Sequence, residues 1–291
     1  MAANEPNIDT LTGTATTGHE WDGLRELNTP LPRWWLWIFY ATIVWAIGYW
    51  IVYPSWPLIS SYTKGSFGWQ SREAIVTDLS RLKAQRGPMM DQLASASLQQ
   101  IEGNPQLLDF ARAVGKSAFA DNCAPCHGAG GGGAKGYPNL NDDDWLWGGK
   151  LKDIQTTITH GARYERDGKT RQSAMPRFLA DGILKPDQID DVAEYVLSFS
   201  KRAKDTVSMK RGQKIFAEQC AVCHGTGGEG KAELGAPRLN DAIWLYGGDK
   251  ETIMKTVSYS RHGVMPAWGK ILAPETIKQL TIYVHSLGGG K

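Results

Sequence analysis

A five-residue pattern that occurs twice constrains this chain more than any other feature. It has the form Cys-x-x-Cys-His at residues 123–127 and again at residues 220–224, and it uses all four cysteines of the 291 residues. Two thiols three positions apart on one helical turn can each add to one vinyl group of a haem, and the adjacent histidine then faces the iron. The pattern is the attachment signal for c-type haem. A zinc site needs four converging ligands, and a thioredoxin-like redox pair has no following histidine.

The two motifs predict two covalently bound haem c groups. His127 and His224 are the predicted proximal ligands of the two irons. Haem c is normally attached outside the cytoplasmic membrane, so we expect the haem-binding parts of the chain there. The formal net charge of +2 gives no signature of nucleic-acid binding. The predicted thioether-forming residues are Cys123, Cys126, Cys220 and Cys223.

A run of uncharged residues, 34–53, precedes both motifs. As a helix it is long enough to span the hydrocarbon core of a bilayer, and tryptophan and tyrosine side chains mark both of its ends. Pro54 and Pro57 follow the run and are expected to end the helix. A cleaved signal peptide would show a basic start and a small-residue cleavage site, and neither is visible here. A core helix of a small globular domain would usually be apolar on one face only, whereas this run is apolar on every face. The run therefore predicts a single membrane-spanning anchor.

The orientation of this anchor follows from the haem motifs more than from flanking charge. Arg33 lies next to the span and favours a cytoplasmic N-terminus only weakly under the positive-inside rule. The haem motifs require the C-terminal bulk of the chain on the opposite, periplasmic side. We therefore expect a single-pass protein with a cytoplasmic N-terminus and periplasmic haem domains.

The segments on either side of the anchor are predicted to carry no redox chemistry. Residues 1–33 are expected to form a polar, irregular cytoplasmic arm that orders against a partner subunit, with a disordered tail as the alternative. Residues 54–106 are expected to form a periplasmic helical connector. Within it, helical spacing predicts one helix over residues 71–86, a break at Gly87-Pro88, and a second helix over residues 89–101.

From Pro105 onward the chain consists of two copies of one unit. Each copy begins with an amphipathic helix that carries Gly115 or Gly212 eight residues before the first cysteine. Each then continues through the haem motif into a glycine-rich loop, a short helix, a Met-Pro pair and a last helix. The predicted domains are residues 107–200 and residues 207–291.

This order of elements resembles the class I cytochrome c domain. The predicted fold is therefore all-α, with one N-terminal transmembrane helix followed by two tandem class I cytochrome c domains. The resemblance implies a methionine as second axial ligand, which pairs His127 with Met175 and His224 with Met265. An exchange of the two methionines between the domains remains an alternative. The rival histidine ligands are His160, His262 and His285.

The same resemblance implies a set of residues that support the haems. The carbonyls of Pro138 and Pro237 are expected to accept a hydrogen bond from the proximal histidines and so fix the orientation of their rings. Trp145 and Trp244 are expected to pack against the haem or to donate their indole N–H to a propionate. An insertion at residues 163–173 precedes the first Met-Pro pair.

Four strings resemble one family of dihaem cytochromes. They are TGHEWDG at residues 17–23, ELNTPLPRWW at residues 26–35, WLYGG at residues 244–248 and GVMPAW at residues 263–268. The chain is similar over nearly its whole length to the dihaem subunit, FixP or CcoP, of cbb3-type cytochrome c oxidase. The strings before the anchor discriminate best, because dihaem cytochromes in general do not carry them.

That resemblance implies an electron-transfer subunit of a bacterial inner-membrane complex in aerobic respiration. Its partners would be a catalytic haem–copper subunit, a monohaem cytochrome c subunit, and a soluble or membrane-bound donor cytochrome c. Two filled axial positions leave no open site for O₂ or peroxide, so we expect no enzyme activity from the isolated chain. The alternative function is a membrane-bound electron donor to another periplasmic oxidoreductase.

Overall fold

The computed structural model describes residues 8–288, and this part of the chain is mostly helical. It divides into two compact units, Met1–Gln85 and Arg86–Lys291. The two strands are β1 (Thr16–Trp21) and β2 (Leu24–Leu27). The helices of the described residues are α1 (Arg33–Val52), α2 (Ser71–Ser95), α3 (Leu98–Gly103), α4 (Pro105–Asn122), α5 (Ala124–His127), α6 (Leu151–His160), α7 (Pro186–Phe199), α8 (Thr206–Gln219), α9 (Ala221–His224), α10 (Lys250–Tyr259) and α11 (Pro274–His285).

The arm before the anchor contains a β-hairpin, so the expectation of an irregular arm is wrong for this stretch. β1 and β2 pair antiparallel, with Thr16 opposite Leu27. Between the strands, Asp22 and Gly23 both adopt positive φ angles, of 51° and 82°. Asp-Gly is a preferred pair for the tight hairpin turn whose two central residues need positive φ. This dipeptide is a sequence signal from which the hairpin could have been predicted.

The predicted membrane anchor is present as α1, and none of its residues is buried. It is the one helix among the described residues that is long and apolar enough to cross a membrane. At a rise of about 1.5 Å per residue, its 20 residues span about the thickness of a hydrocarbon core.

The expected helix break at Gly87-Pro88 is wrong, because α2 continues through Pro88 to Ser95. Proline in a helix interior removes one hydrogen bond and crowds the preceding turn. Packing of Leu93 in the second half of α2 offsets that cost, since this side chain is fully buried in a cluster with α3 and α4. The end of the predicted connector is therefore part of the packed second unit.

The last helix of each repeat packs against the first helix of the other repeat. α7 of the first repeat lies against α8 of the second, with Val192 and Val196 in one buried cluster with Phe216. α11 of the second repeat lies against α4 of the first, with Leu280 and Val284 in one cluster with Phe119. The C-terminal segments of the two cytochrome repeats are thus exchanged.

Glycines mark both of these helix crossings. A Cβ atom at Gly212 would collide with the backbone carbonyl of Asp191 on α7, and one at Gly115 would collide with the carbonyl of Gln279 on α11. The repeated glycine before each haem motif therefore permits close approach of a helix from the other repeat.

A short connection explains why the segments exchange. Only residues 200–205 separate α7 from α8, and helices joined by such short connections pack as antiparallel neighbours. Glu194 of α7 fixes the connection by accepting hydrogen bonds from the backbone N–H groups of Lys204 and Asp205. With α8 covered by α7, α11 is left to cover α4.

Candidate haem sites

Each haem motif forms a single helical turn at the end of a longer helix. Cys123 ends α4 and precedes the turn α5, while Cys220 ends α8 and precedes the turn α9. The N–H of His127 donates to the carbonyl of Cys123 over 2.9 Å, and His224 makes the same bond to Cys220. Two cysteines and a histidine on one turn are the arrangement that covalent attachment and proximal ligation of haem require.

The two histidine rings are oriented by proline carbonyls. Nδ1 of His127 lies 3.0 Å from the carbonyl oxygen of Pro138, and Nδ1 of His224 lies 2.9 Å from that of Pro237. A carbonyl only accepts, so Nδ1 carries a proton in each ring, and Nε2 of the neutral ring then keeps a free lone pair. Burial lowers the pKa of His224, against a smaller opposite effect of the Pro237 carbonyl. A neutral imidazole with a free Nε2 is the form that binds a metal.

A cavity of about 800 Å³ opens beside the second motif. Its lining includes Cys220, Cys223 and His224 from the second repeat and Met175 from the first. Cavities of this size hold ligands as large as a cofactor.

In this structure each predicted axial methionine lies beside the haem motif of the other repeat, not beside that of its own. Met175 lines the cavity beside the second motif and, like Cys220, packs against the buried cluster that contains Phe216. Met265 instead packs, like Cys123, against the buried cluster that contains Phe119 and Leu280. The alternative of exchanged methionines fits this placement, because each Met-Pro segment precedes a helix that crosses to the other repeat.

Backbone hydrogen bonds hold both methionine segments in the exchanged position. After Met175, the N–H of Phe178 donates to the carbonyl of Val257 on α10. Met265 and Ala162 donate to each other's carbonyls, at 2.9 and 3.0 Å. Each methionine is therefore anchored to the repeat whose haem motif it accompanies.

The cysteine environment argues against a thioredoxin-like redox pair. Burial, with a smaller effect of the neighbouring cysteine, raises the pKa of Cys123 to about 11 and that of Cys220 to about 12. Redox-active Cys-x-x-Cys pairs have a thiol whose pKa is lowered towards neutrality or below. These two thiols are instead neutral groups in apolar surroundings: Cys220 lines the cavity, and Cys123 packs against a buried hydrophobic cluster.

Two buried indole groups lack a hydrogen-bond partner among residues 8–288. They are the Nε1–H groups of Trp147 and Trp244. Trp145, by contrast, donates its Nε1–H to the carbonyl of Asp142 over 3.1 Å. A donation from Trp145 to a propionate is therefore not what the structure supports, although its ring packs in the same cluster as Cys123. An orphaned buried donor is costly unless a ligand satisfies it.

Each orphaned or cavity-facing ring is accompanied by an arginine. The Arg171 guanidinium lies 5.6 Å from the ring of Trp147, and the Arg261 guanidinium lies 4.7 Å from the ring of Tyr246. Arg163, from the insertion, donates from Nε to the carbonyl of Gly263 in the other repeat over 2.6 Å and lines the cavity. These cations suit the two carboxylates that a haem carries. The sequence alone did not identify these arginines, because it does not distinguish an arginine beside a haem site from an ordinary arginine on a surface loop.

Acidic side chains also reach the cavity. Asp142 and Asp144 line it, and burial, followed by repulsion from Asp241 and Asp142, raises the pKa of Asp144 to about 6. The carboxyl group of Asp144 therefore titrates close to neutral pH.

The rival histidine ligands lie in other contacts. Nδ1 of His160 lies 3.2 Å from the Asp167 carboxylate, and Nδ1 of His285 lies 3.3 Å from the Glu102 carboxylate. His262 lines the cavity beside the second motif but is exposed.

Family models match three successive parts of the chain. The N-terminal domain of cytochrome oxidase-cbb3, FixP, matches residues 13–60, and cytochrome c matches residues 113–200. Cytochrome c oxidase, cbb3-type, subunit III matches residues 207–284. The first match covers the hairpin and the anchor, and the other two cover the haem repeats.

Relatives match the chain over nearly its whole length. The cbb3-type cytochrome c oxidase subunit FixP of Azorhizobium caulinodans is 59% identical over 285 residues, which are 98% of this chain and 96% of the relative. The FixP subunit of Bradyrhizobium diazoefficiens is 57% identical over 98% of each chain. The CcoP subunit of Cereibacter sphaeroides is 50% identical over 95% of each chain.

The fold and the motifs define a c-type cytochrome with two cytochrome c domains behind a membrane anchor. Cytochromes of this class occur in many electron-transfer chains. The relatives that match over their whole length identify the family within this class. The chain belongs to the FixP/CcoP family of cbb3-type cytochrome c oxidase subunits. The predicted family and the mostly helical fold with two cytochrome c domains are thereby confirmed.

Proposed function

We propose that this chain relays electrons from a donor cytochrome c to the monohaem cytochrome c subunit, and through it to the catalytic haem–copper subunit, of a cbb3-type oxidase. The observation that carries this proposal is that both attachment motifs have an oriented histidine, while a methionine lies with each of them. Two covalently bound haems supply the one-electron carriers.

The axial ligand pairs we propose are His224 with Met175 and His127 with Met265. Met175 lines the cavity that His224 lines, which supports the first pair. Met265 packs in one cluster with Cys123, which supports the second. A thioether is a soft, neutral ligand, and histidine–methionine ligation raises the reduction potential of a haem relative to two histidines.

These ligand pairs explain why the isolated chain would transfer electrons and would not catalyse a reaction. An iron bound by both a histidine and a methionine would have no open position for O₂ or peroxide. Both methionines are anchored by backbone hydrogen bonds of the segments around them, so they are held in place. The exposed His262 is a weaker candidate ligand than Met175, since it is not part of the buried cluster around Cys220.

The exchange of segments also fixes the two sites relative to each other. The N–H of Gly136 in the first loop donates to the carbonyl of Leu245 in the second repeat over 2.9 Å. The Arg211 guanidinium on α8 makes two hydrogen bonds, of 2.6 and 2.7 Å, to the Asp191 carboxylate on α7. Domains in one chain move relative to each other unless their interface is extensive. Interlocked repeats therefore allow electron transfer between the two sites without domain motion.

The supporting residues we propose are the two prolines that orient the histidines and two tryptophans. Pro138 and Pro237 fix the ring tautomers. Trp147 and Trp244 each have a buried N–H that a propionate would satisfy. Trp147 thus takes the role that the sequence had suggested for Trp145.

The membrane arrangement we propose has the hairpin arm in the cytoplasm and both haem sites in the periplasm, on a single pass through the inner membrane. The requirement for covalent haem attachment outside the cytoplasm supports this orientation. The hairpin of residues 16–27 is too small to be stable alone, so we propose that it docks against a neighbouring oxidase subunit.

The relay is tested in the purified oxidase that carries Cys220→Ala with Cys223→Ala. Intact mass should show one haem fewer on this chain, and oxidation of reduced donor cytochrome c should fall by at least an order of magnitude. An artificial reductant that feeds the monohaem subunit should still support O₂ consumption. Unchanged oxidation of donor cytochrome c by the variant would contradict the relay. Purification of the wild-type chain without copper and b-type haem would favour the alternative, a donor to another oxidoreductase.

A further inference from the structure

The residues that follow α1 fold back over the end of this helix. The N–H groups of Ser66 and Phe67 donate to the carbonyls of Ile51 and Val52, at 3.0 and 3.1 Å. The Ser55 hydroxyl donates to the carbonyl of Trp50 over 3.1 Å. The last carbonyls of a helix have no partner within the helix itself. Here the following loop satisfies three of them, so the end of α1 does not depend on water.

Gly65 makes this fold-back possible. Its φ angle is +73°, and a Cβ atom there would collide with the carbonyl of Val52 and approach the backbone of Tyr53. Glycine is the residue that tolerates both the positive φ and the close approach. The loop is therefore held against the C-terminal end of α1, at the same level along the helix axis.

Aromatic rings continue from the helix into the loop. Tyr53 contacts the rings of Phe67 and Trp69 edge-on, with centroids 5.6 and 6.0 Å apart, and Trp50 contacts Trp56 at 4.8 Å. Tyr53 is partly buried, but the three tryptophans are about half exposed and Phe67 is 67% exposed. The loop thus presents a band of exposed aromatic surface at the end of the membrane helix.

A short apolar tip projects from the same loop. Pro57 and Tyr62 form an isolated antiparallel bridge, closed by a 2.7 Å hydrogen bond from the Leu58 N–H to the Ser61 carbonyl. Leu58 is 56% exposed, and Ile59 is fully exposed. Between Arg33 and Arg72, the sequence contains one charged residue, Lys64. An exposed isoleucine on a loop tip is unfavourable in water.

We infer that residues 53–69, the interfacial collar, bind the lipid surface at the outer end of α1. The inference rests on the membrane anchoring of the chain. The collar adjoins the lipid-facing surface of α1, its rings are of the kind that concentrate at headgroup level, and its apolar tip reaches the acyl boundary. Lys64 is placed in sequence to contact a lipid phosphate. The hydrogen bonds from the loop also satisfy the carbonyls of Trp50, Ile51 and Val52, which lie next to the hydrocarbon core.

The collar is tested by depth measurement in the full chain. Because the four native cysteines carry haem, Ile59→Cys provides a single thiol for a polarity-sensitive nitrobenzoxadiazole probe. The labelled chain is placed in nanodiscs of phosphatidylglycerol and phosphatidylethanolamine with doxyl-labelled lipids. Gln99→Cys, on an exposed position of α3, is the matched control. We expect blue-shifted emission at position 59 and several-fold stronger quenching than at position 99, both in the isolated chain and in the complete oxidase.

Two outcomes would overturn the inference. Equal, weak quenching at both positions in the isolated chain overturns the lipid contact. Quenching that disappears in the complete oxidase, together with a cross-link from position 59 to another subunit, assigns the surface to a protein partner and also overturns it. Gly65→Ala should detach the loop from α1 and reduce the quenching at position 59 while two haems remain bound. Retention of both haems in all of these variants distinguishes a failure of the collar from a failure of the relay.

Discussion

The crossing of α7 and α8 makes a quantitative prediction for Gly212→Ala. The new Cβ would lie 2.5 Å from the carbonyl carbon and in collision with the carbonyl oxygen of Asp191, and 3.0 Å from the amide nitrogen of Val192. All three atoms are backbone and cannot rotate away. Ordinary carbon contacts are about 3.5–4 Å, so the two helices must separate by about 1 Å.

The expected cost follows from this overlap. Overpacking in a rigid core costs about 1–3 kcal/mol, and backbone neighbours put this site at the upper end. Replacement of glycine by alanine within a helix stabilises the helix by about 1 kcal/mol, which offsets part of this cost. The net loss of about 2 kcal/mol should lower the Tm of the second unit by about 4–8 °C.

Thermal unfolding of the haem-loaded chain in detergent measures this effect, with the helical circular dichroism and the Soret band followed together. Gly103→Ala is the matched control, because Gly103 ends α3 with no atom within 4 Å of an added Cβ. It should melt at or slightly above the wild-type temperature. If Gly212→Ala and Gly103→Ala melt at the same temperature, α7 does not cross α8 at this point and the exchanged packing is refuted.

Three further predictions concern titration, haem content and the arm. The pKa of Asp144 is about 6 in the folded state and about 3.9 in an unfolded chain, so the folded state binds this proton more tightly. Proton binding therefore stabilises the folded state fully below pH 4, and this stabilisation is lost as the pH rises to 6. Asp144→Asn should therefore raise the Tm more at pH 7 than at pH 4, and an equal change at both values would exclude this titration. Cys123→Ala with Cys126→Ala should leave one covalent haem by intact mass, whereas haem that extracts into acid–acetone from the wild type would argue against thioether attachment. Deletion of residues 17–30 should keep both haems but loosen the chain from the copper-containing subunit, and normal co-purification would rule out docking by the hairpin.

Features with local signals could be predicted from the sequence. The haem motifs, the membrane helix and the helix starts depend on residues within one or two turns, so spacing and composition identify them. The hairpin also has a local signal, the Asp22-Gly23 pair, but it was missed in a polar segment. At Pro88 the local signal was present but gave the wrong prediction, a helix break. The tendency of proline to end a helix is overridden here by burial of Leu93 in the second half of α2.

The exchange of the C-terminal segments could not be predicted in this way. Both repeats carry the same glycine, the same Met-Pro pair and the same apolar helix faces, so each last helix fits either first helix. The choice depends on the short connection between α7 and α8 and on ion pairs such as Asp191 with Arg211. Trp147 was missed for a related reason, because only the packed structure tells which indole N–H is already satisfied.

The central claim is that each iron is held six-coordinate by the histidine of its own repeat and the methionine of the other. A chain that retains only the haem attached to Cys220 and Cys223 tests it most directly, through the near-infrared thioether–iron band and the CO difference spectrum. The account predicts that Met175→Ala abolishes the band and creates a CO adduct, while Met265→Ala leaves both spectra unchanged. Loss of the band with Met265→Ala, or stoichiometric CO binding before any methionine is replaced, would contradict it.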